Sequence, residues 1–129
     1  MKRSPADFRT PLARVEGLGA ARAGTHHFLG QRISAVALVP LSIWFMYGAL
    51  GLVGANLAEV LVYLSEPLNA ILLGAFLFTA LYHLSLGIQV VIEDYIQQEG
   101  TKIVLLILNR FFMWSVGAVC AFALLRIAL

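Results

Sequence analysis

The chain has 129 residues, 60% of them hydrophobic and only 12% charged, with a formal net charge of +2. Globular domains carry about 25% charged residues, so the composition excludes an ordinary water-soluble domain and points to a membrane. The single cysteine, Cys120, excludes an internal disulfide and a cysteine-based metal centre within this chain. The basic excess sits near the N-terminus, where it speaks of membrane orientation rather than of nucleic acid.

Residues 1–32 form a polar arm holding Lys2, Arg3, Arg9, Arg14, Arg22 and Arg32, with Asp7 and Glu16 as its acids. Pro5, Pro11 and several Gly and Ala residues predict an extended or loosely ordered segment. It has no apolar h-region and does not read as a secretory signal; its two acids count against a mitochondrial transit peptide. For residues 1–22 a solvated basic tail suffices. The segment from Gly24 to Ser34 differs, because His26, His27, Arg32 and Ser34 crowd the mouth of the first apolar block. Interfacial anchoring explains Arg32 alone, whereas guanidinium and imidazolium groups together suit an anionic partner.

Residues 33–129 read as an all-α transmembrane domain. Three spans are predicted, at about 33–54, 68–92 and 103–129, each long enough for a hydrocarbon core that needs about 20 residues. Pro40 interrupts the backbone bonding of the first span and should bend it. Trp44 and Tyr47 read as packing or lipid-facing aromatics. A loop from Ala55 to Pro67 carries Asn56, Glu59 and Glu66 and no basic residue. A polar turn, Glu93 to Lys102, joins the second and third spans. In the third span Arg110 lies within reach of the interface, and Trp114, Ser115, Gly117 and Ala118 read as helix packing. Basic residues before the first span and around the second turn put the N-terminus and that turn in the cytoplasm. The His26–Arg32 and Glu93–Asp94–Tyr95 clusters then fall on one side of the membrane.

The second span holds the most informative stretch. His83 lies well inside it, and Gly87 follows one helical turn later on the same face. Asp94 returns to nearly the same face roughly 16 Å further on, with Tyr95 beside it. Reading backwards, that face holds Ala80 or Thr79, then Phe76 and Ala75. An ionisable side chain at membrane depth is expensive and needs a partner. His83 is therefore either a structural histidine bonded to a neighbouring helix, or a ligand or relay. A neutral imidazole is a good axial ligand for haem iron, and Gly87 would let a flat macrocycle approach. Arg32 and His26 suit haem propionates. A tyrosine beside an aspartate at the interface can hydrogen-bond a quinone carbonyl and relay protons; an ordinary polar cap with a belt tyrosine is the plainer account.

The pattern His83-x3-Gly87-x-Gln89-Val90-x3-Asp94-Tyr95, with His26-x5-Arg32-x-Ser34 upstream and three spans, resembles the small membrane-anchor subunit of succinate dehydrogenase, the D-type subunit of respiratory complex II. The resemblance covers about residues 24–129. It implies one part of a hetero-oligomeric helix bundle in the bacterial cytoplasmic membrane, or less readily the mitochondrial inner membrane. The implied partners are a second three-span cytochrome b-type anchor, an iron–sulfur subunit, a flavoprotein subunit and membrane lipid. It further implies that His83 ligates a haem b shared with the partner anchor, that His26 and Arg32 lie near the propionates, and that Tyr95 and Asp94 line a ubiquinone site. The chain would not be catalytic alone. The other readings are a purely structural anchor, an anchor of a related fumarate reductase, and a proton pathway using His83 and Asp94. The last wants further ionisable groups along the spans, which the first span and the start of the second do not have.

Overall fold

The computed structural model describes residues 24–129. The expected solvated tail, residues 1–22, lies outside the described residues. Four helices follow in order: α1 (Gly24–Gly51), α2 (Leu57–Ser65), α3 (Pro67–Tyr95) and α4 (Glu99–Ala128). No strand occurs among the described residues, as the all-α expectation required. Lipid offers no partner to a bare N–H or C=O, so an apolar segment satisfies its backbone internally as a helix.

Three of the helices, α1, α3 and α4, are long and apolar enough to cross a membrane. Lengths of 28, 29 and 30 residues correspond to about 42–45 Å at 1.5 Å per residue. That exceeds a hydrocarbon core of about 30 Å, so the helix ends reach into the interface. The helices also extend beyond the spans read from hydropathy. The start of α1 at Gly24 makes the last part of the expected arm helical, His26, His27 and Arg32 included. Pro40 lies inside α1 without ending it.

The segment between the first two spans, expected as a loop, contains α2. Its start is a capping box: Asn56 Oδ1 accepts from Glu59 N at 3.0 Å, and Glu59 Oε2 accepts from Asn56 N at 2.9 Å. Each residue satisfies an otherwise orphaned donor of the other. The chain enters this cap from α1 through Gly54, whose φ of 84° is open to glycine and strained for other residues. Pro67 starts α3, a place where its missing N–H costs nothing.

Helix α3 is the centre of the bundle, with α1 packed on one side, α4 on another and α2 across one end. Among the described residues very little is buried: Ala70, Ile92 and Met113 are the buried apolar residues and Ser34 the buried polar one. Side chains such as Val36, Tyr47, Phe78, Phe111 and Trp114 are each more than two-thirds exposed. Such a surface far exceeds the few hundred Å² of apolar patch that a soluble monomer tolerates. Between helices in lipid, close approach at small residues and polar cross-links replaces the hydrophobic drive. Gly30 lies under Tyr82, where a Cβ would come within 2.6 Å of the phenol oxygen, and Gly48 lies under Tyr63. The rings of Phe45 and Phe76 stack at 4.8 Å across the α1–α3 seam. Asn109 of α4 donates through Nδ2 to the Ser85 carbonyl of α3 at 3.0 Å; such a bond contributes on average about 0.6 kcal/mol in a membrane protein.

Candidate functional site at the α1–α3 seam

The face of α3 that carries Phe76, His83 and Gly87 is turned towards α1. His83 meets α1 through both ring nitrogens. Its Nδ1 is 2.9 Å from Ser34 Oγ, and its Nε2 is 3.4 Å from Gln31 Nε2. Ser34 is only 4% exposed, and its hydroxyl donates to the Gly30 carbonyl at 2.7 Å, with the Gln31 carbonyl at 3.1 Å. His27, Gln31 and Ser34 recur at four and three residues, so they share one face of α1. That face is the one α1 presents to His83.

A pocket of about 500 Å³ opens beside this contact, lined by His27, Phe28, Gln31, Gly87, Gln89, Val90 and Glu93. Two polar atoms on its wall, His27 Nε2 and Gln31 Oε1, are buried without a hydrogen-bond partner. Buried polar atoms are nearly always paired, so this wall suits a polar ligand. At its outer edge Gln89 Nε2 donates to Glu93 Oε1 at 2.8 Å, and Lys102 Nζ donates to the Glu93 carbonyl at 3.3 Å.

The residues singled out from the sequence fall in different places. His83 is partly buried at the seam. His26 is exposed, and the histidine on the pocket wall is its neighbour His27. Arg32 is exposed, with its guanidinium 5.1 Å from the centroid of Phe28, a pocket residue. Asp94 and Tyr95 end α3 one residue past the pocket edge; Tyr95 is 79% exposed. Neither side chain makes a hydrogen bond or ion pair among the described residues. The structure thus joins His83 to Ser34 and Gln31, and leaves His26, Arg32, Asp94 and Tyr95 as an outward-facing set at the same end of the bundle. Sequence reasoning left Gln31, Gln89 and Glu93 without a role. The i, i+4 spacing of Gln89 and Glu93, and of His27 and Gln31, was the available signal.

A haem, as the resemblance implies, can be tested against these residues. Among the described residues no group of three His, Cys, Asp or Glu side chains gathers to hold a metal ion; His83 is the histidine among them that lies within the second span. Gly87 keeps the ground one turn away clear: a Cβ there would meet only Gln31 Nε2, at 3.8 Å. Gln31 borders the pocket, and a metal at His83 Nε2 would have to take the place of its amide contact there. His83 is the residue that would hold such a group from this chain.

Comparison with known proteins supplies the family. Residues 6–124 match the family model described as succinate dehydrogenase/fumarate reductase transmembrane subunit. The succinate dehydrogenase hydrophobic membrane anchor subunit of Rickettsia bellii is 38% identical over 116 residues, covering 90% of this chain and 91% of that protein. The anchor subunit of the same name from Paracoccus denitrificans is 34% identical over 122 residues, 95% of this chain and 94% of its own. That from Rickettsia conorii is 32% identical over 107 residues, 82% and 85% of the two chains. With three membrane-length helices and matches along nearly its whole length, this chain belongs to the succinate dehydrogenase/fumarate reductase transmembrane subunit family, among its hydrophobic membrane anchor subunits.

Proposed function

We propose that this chain holds a succinate-oxidising flavoprotein and iron–sulfur pair on the cytoplasmic face of a bacterial inner membrane, shares a haem b with a second three-span anchor, and contributes to a ubiquinone-reduction site. One observation carries the reading: His83 stands at the α1–α3 seam beside a pocket that opens at the end of the bundle bearing Asp94 and Tyr95. On this reading His83 would ligate the haem iron, and His26 and Arg32 would hold its propionates. When bound, the haem supplies a one-electron store beside the quinone site. Tyr95 donates a hydrogen bond from its hydroxyl to a carbonyl oxygen of the quinone. Asp94, an acceptor only when ionised, orients neighbouring donors and helps protons arrive. Reducing the quinone to a quinol takes two electrons, from an iron–sulfur centre in a partner, and two protons, from the aqueous side that this end of the bundle meets. The second reading is an anchor without haem. The bond from His83 to Ser34 favours it, because it gives the histidine an internal partner.

Removing the chain from cells is expected to leave succinate oxidation by an artificial dye in the soluble fraction and to abolish succinate-dependent quinone reduction in membranes. A tagged copy should co-purify with the flavoprotein, the iron–sulfur subunit and a second anchor. Dye-linked activity that stays on the membrane in its absence would remove the anchoring role.

Orientation is tested separately. With Cys120 replaced by Ser, single cysteines at Thr10 and Gln98 are expected to react only with reagent that reaches the cytoplasm. A cysteine at Glu59, in the first turn of α2, should react from outside. Labelling of Glu59→Cys from the cytoplasmic side would reverse the topology.

A further inference from the structure

We infer that Ser34 is a positioning residue for His83: it holds Nδ1 as the protonated nitrogen and so leaves Nε2 as the ligating one. The inference rests on the haem reading above. A serine hydroxyl has one hydrogen. Two carbonyl oxygens, of Gly30 at 2.7 Å and Gln31 at 3.1 Å, lie within its reach, and both only accept. With its hydrogen on that side, Ser34 Oγ presents a lone pair to His83 Nδ1 at 2.9 Å. Nδ1 must then carry the ring proton. The other face of the ring agrees. Gln31 Nε2, an amide nitrogen that only donates, stands 3.4 Å from His83 Nε2, which requires a bare lone pair there. The opposite tautomer would set two donors against each other at Nε2. The two contacts from α1 agree on this tautomer; the one from Ser34 persists when Nε2 ligates, and the one from Gln31 gives way to the metal.

The consequence is local and directional. A ligating histidine usually donates its second ring N–H to an oxygen, which fixes the ring's orientation and makes the ligating nitrogen more basic. Ser34 supplies that oxygen from a neighbouring helix, and at 4% exposure no water stands ready to replace it. A more basic ligand favours ferric over ferrous iron.

The test uses the assembled complex in membranes or detergent. In Ser34→Ala the Nδ1 proton loses its acceptor. Preference for the ferric state is expected to fall by up to about tenfold, a rise in haem midpoint potential of up to ~59 mV for one electron. The low-spin electron paramagnetic resonance signal should shift as the ring gains freedom to turn. Ser34→Thr keeps the hydroxyl and should hold both readouts near the unsubstituted complex, whereas Ser34→Val, of the same shape without the hydroxyl, should behave like Ser34→Ala. The Thr and Val pair decides the matter if Ser34→Ala fails to assemble. Potential and resonance unchanged in both hydroxyl-free variants, or shifted equally in Ser34→Thr and Ser34→Val, would overturn the inference. His83→Ala in parallel separates the two levels. A haem signature lost there but unmoved in the hydroxyl-free variants overturns the role of Ser34 alone. A signature intact in His83→Ala overturns the ligand assignment and the inference with it.

Discussion

A complex carrying His83→Ala is expected to lose its low-spin haem spectrum while its succinate-oxidising head stays on the membrane. Both halves follow from the seam. On the proposed haem reading His83 would be the iron ligand from this chain, so the variant would leave the iron one ligand short, and a low-spin site would become high-spin or empty. The effect on the bundle is smaller. Ser34 keeps the Gly30 and Gln31 carbonyls for its hydroxyl, so it is not left without a partner. The bond lost between Ser34 and the ring is worth about 0.5–1.5 kcal/mol. The Phe45–Phe76 stack at 4.8 Å and the Gly30–Tyr82 approach continue to hold α1 to α3. Reduced-minus-oxidised spectra, haem stoichiometry and midpoint potential of the purified complex are the measurements. All three together matter, because a replacement ligand can restore haem content while altering potential. No change in any of them would place the ligand on another residue.

Tyr95→Phe is expected to reduce the quinone-reductase rate by up to about tenfold while leaving dye-linked succinate oxidation and haem content unchanged. The hydroxyl makes no hydrogen bond among the described residues, and the residue is 79% exposed, so its removal unseats nothing in the described fold. A bond donated to the substrate is a different matter: losing one costs about 0.5–1.5 kcal/mol, up to roughly tenfold in binding. The artificial dye takes electrons before the quinone pocket and serves as the internal control. Equal loss of both activities would make Tyr95 an assembly residue, and loss of neither would move the quinone elsewhere.

Much of this arrangement was legible in the residues. Three spans follow from hydropathy alone, because lipid requires apolar length and leaves the backbone one economical conformation. That the His26–Arg32 and Asp94–Tyr95 clusters share one end follows from counting crossings. The helix ends were less legible, since hydropathy marks where a side chain enters lipid and not where backbone bonding begins; hence α1 starts in the polar run before Ile33. Helix α2 was passed over because Asn56 and Glu59 read as loop polarity, although their spacing is that of a capping box. The seam itself was the least legible. Ser34 and His83 lie 49 residues apart, and no local pattern tells that a serine on one helix meets a histidine on another. The same holds for His27, which differs from His26 only by the 100° turn that carries it to the pocket wall.

The pocket wall runs from His27 to Glu93, and α4 contributes nothing to it. In the order of synthesis the wall is therefore finished once α3 has entered the membrane, while the last helix is still being made. Helix α4 arrives on a different flank of α3, where Arg110, Met113 and Trp114 border the wide apolar groove between the two helices. A nascent chain ending at Tyr95 already carries every residue of the wall. The last thirty or so residues supply the second wall of that groove.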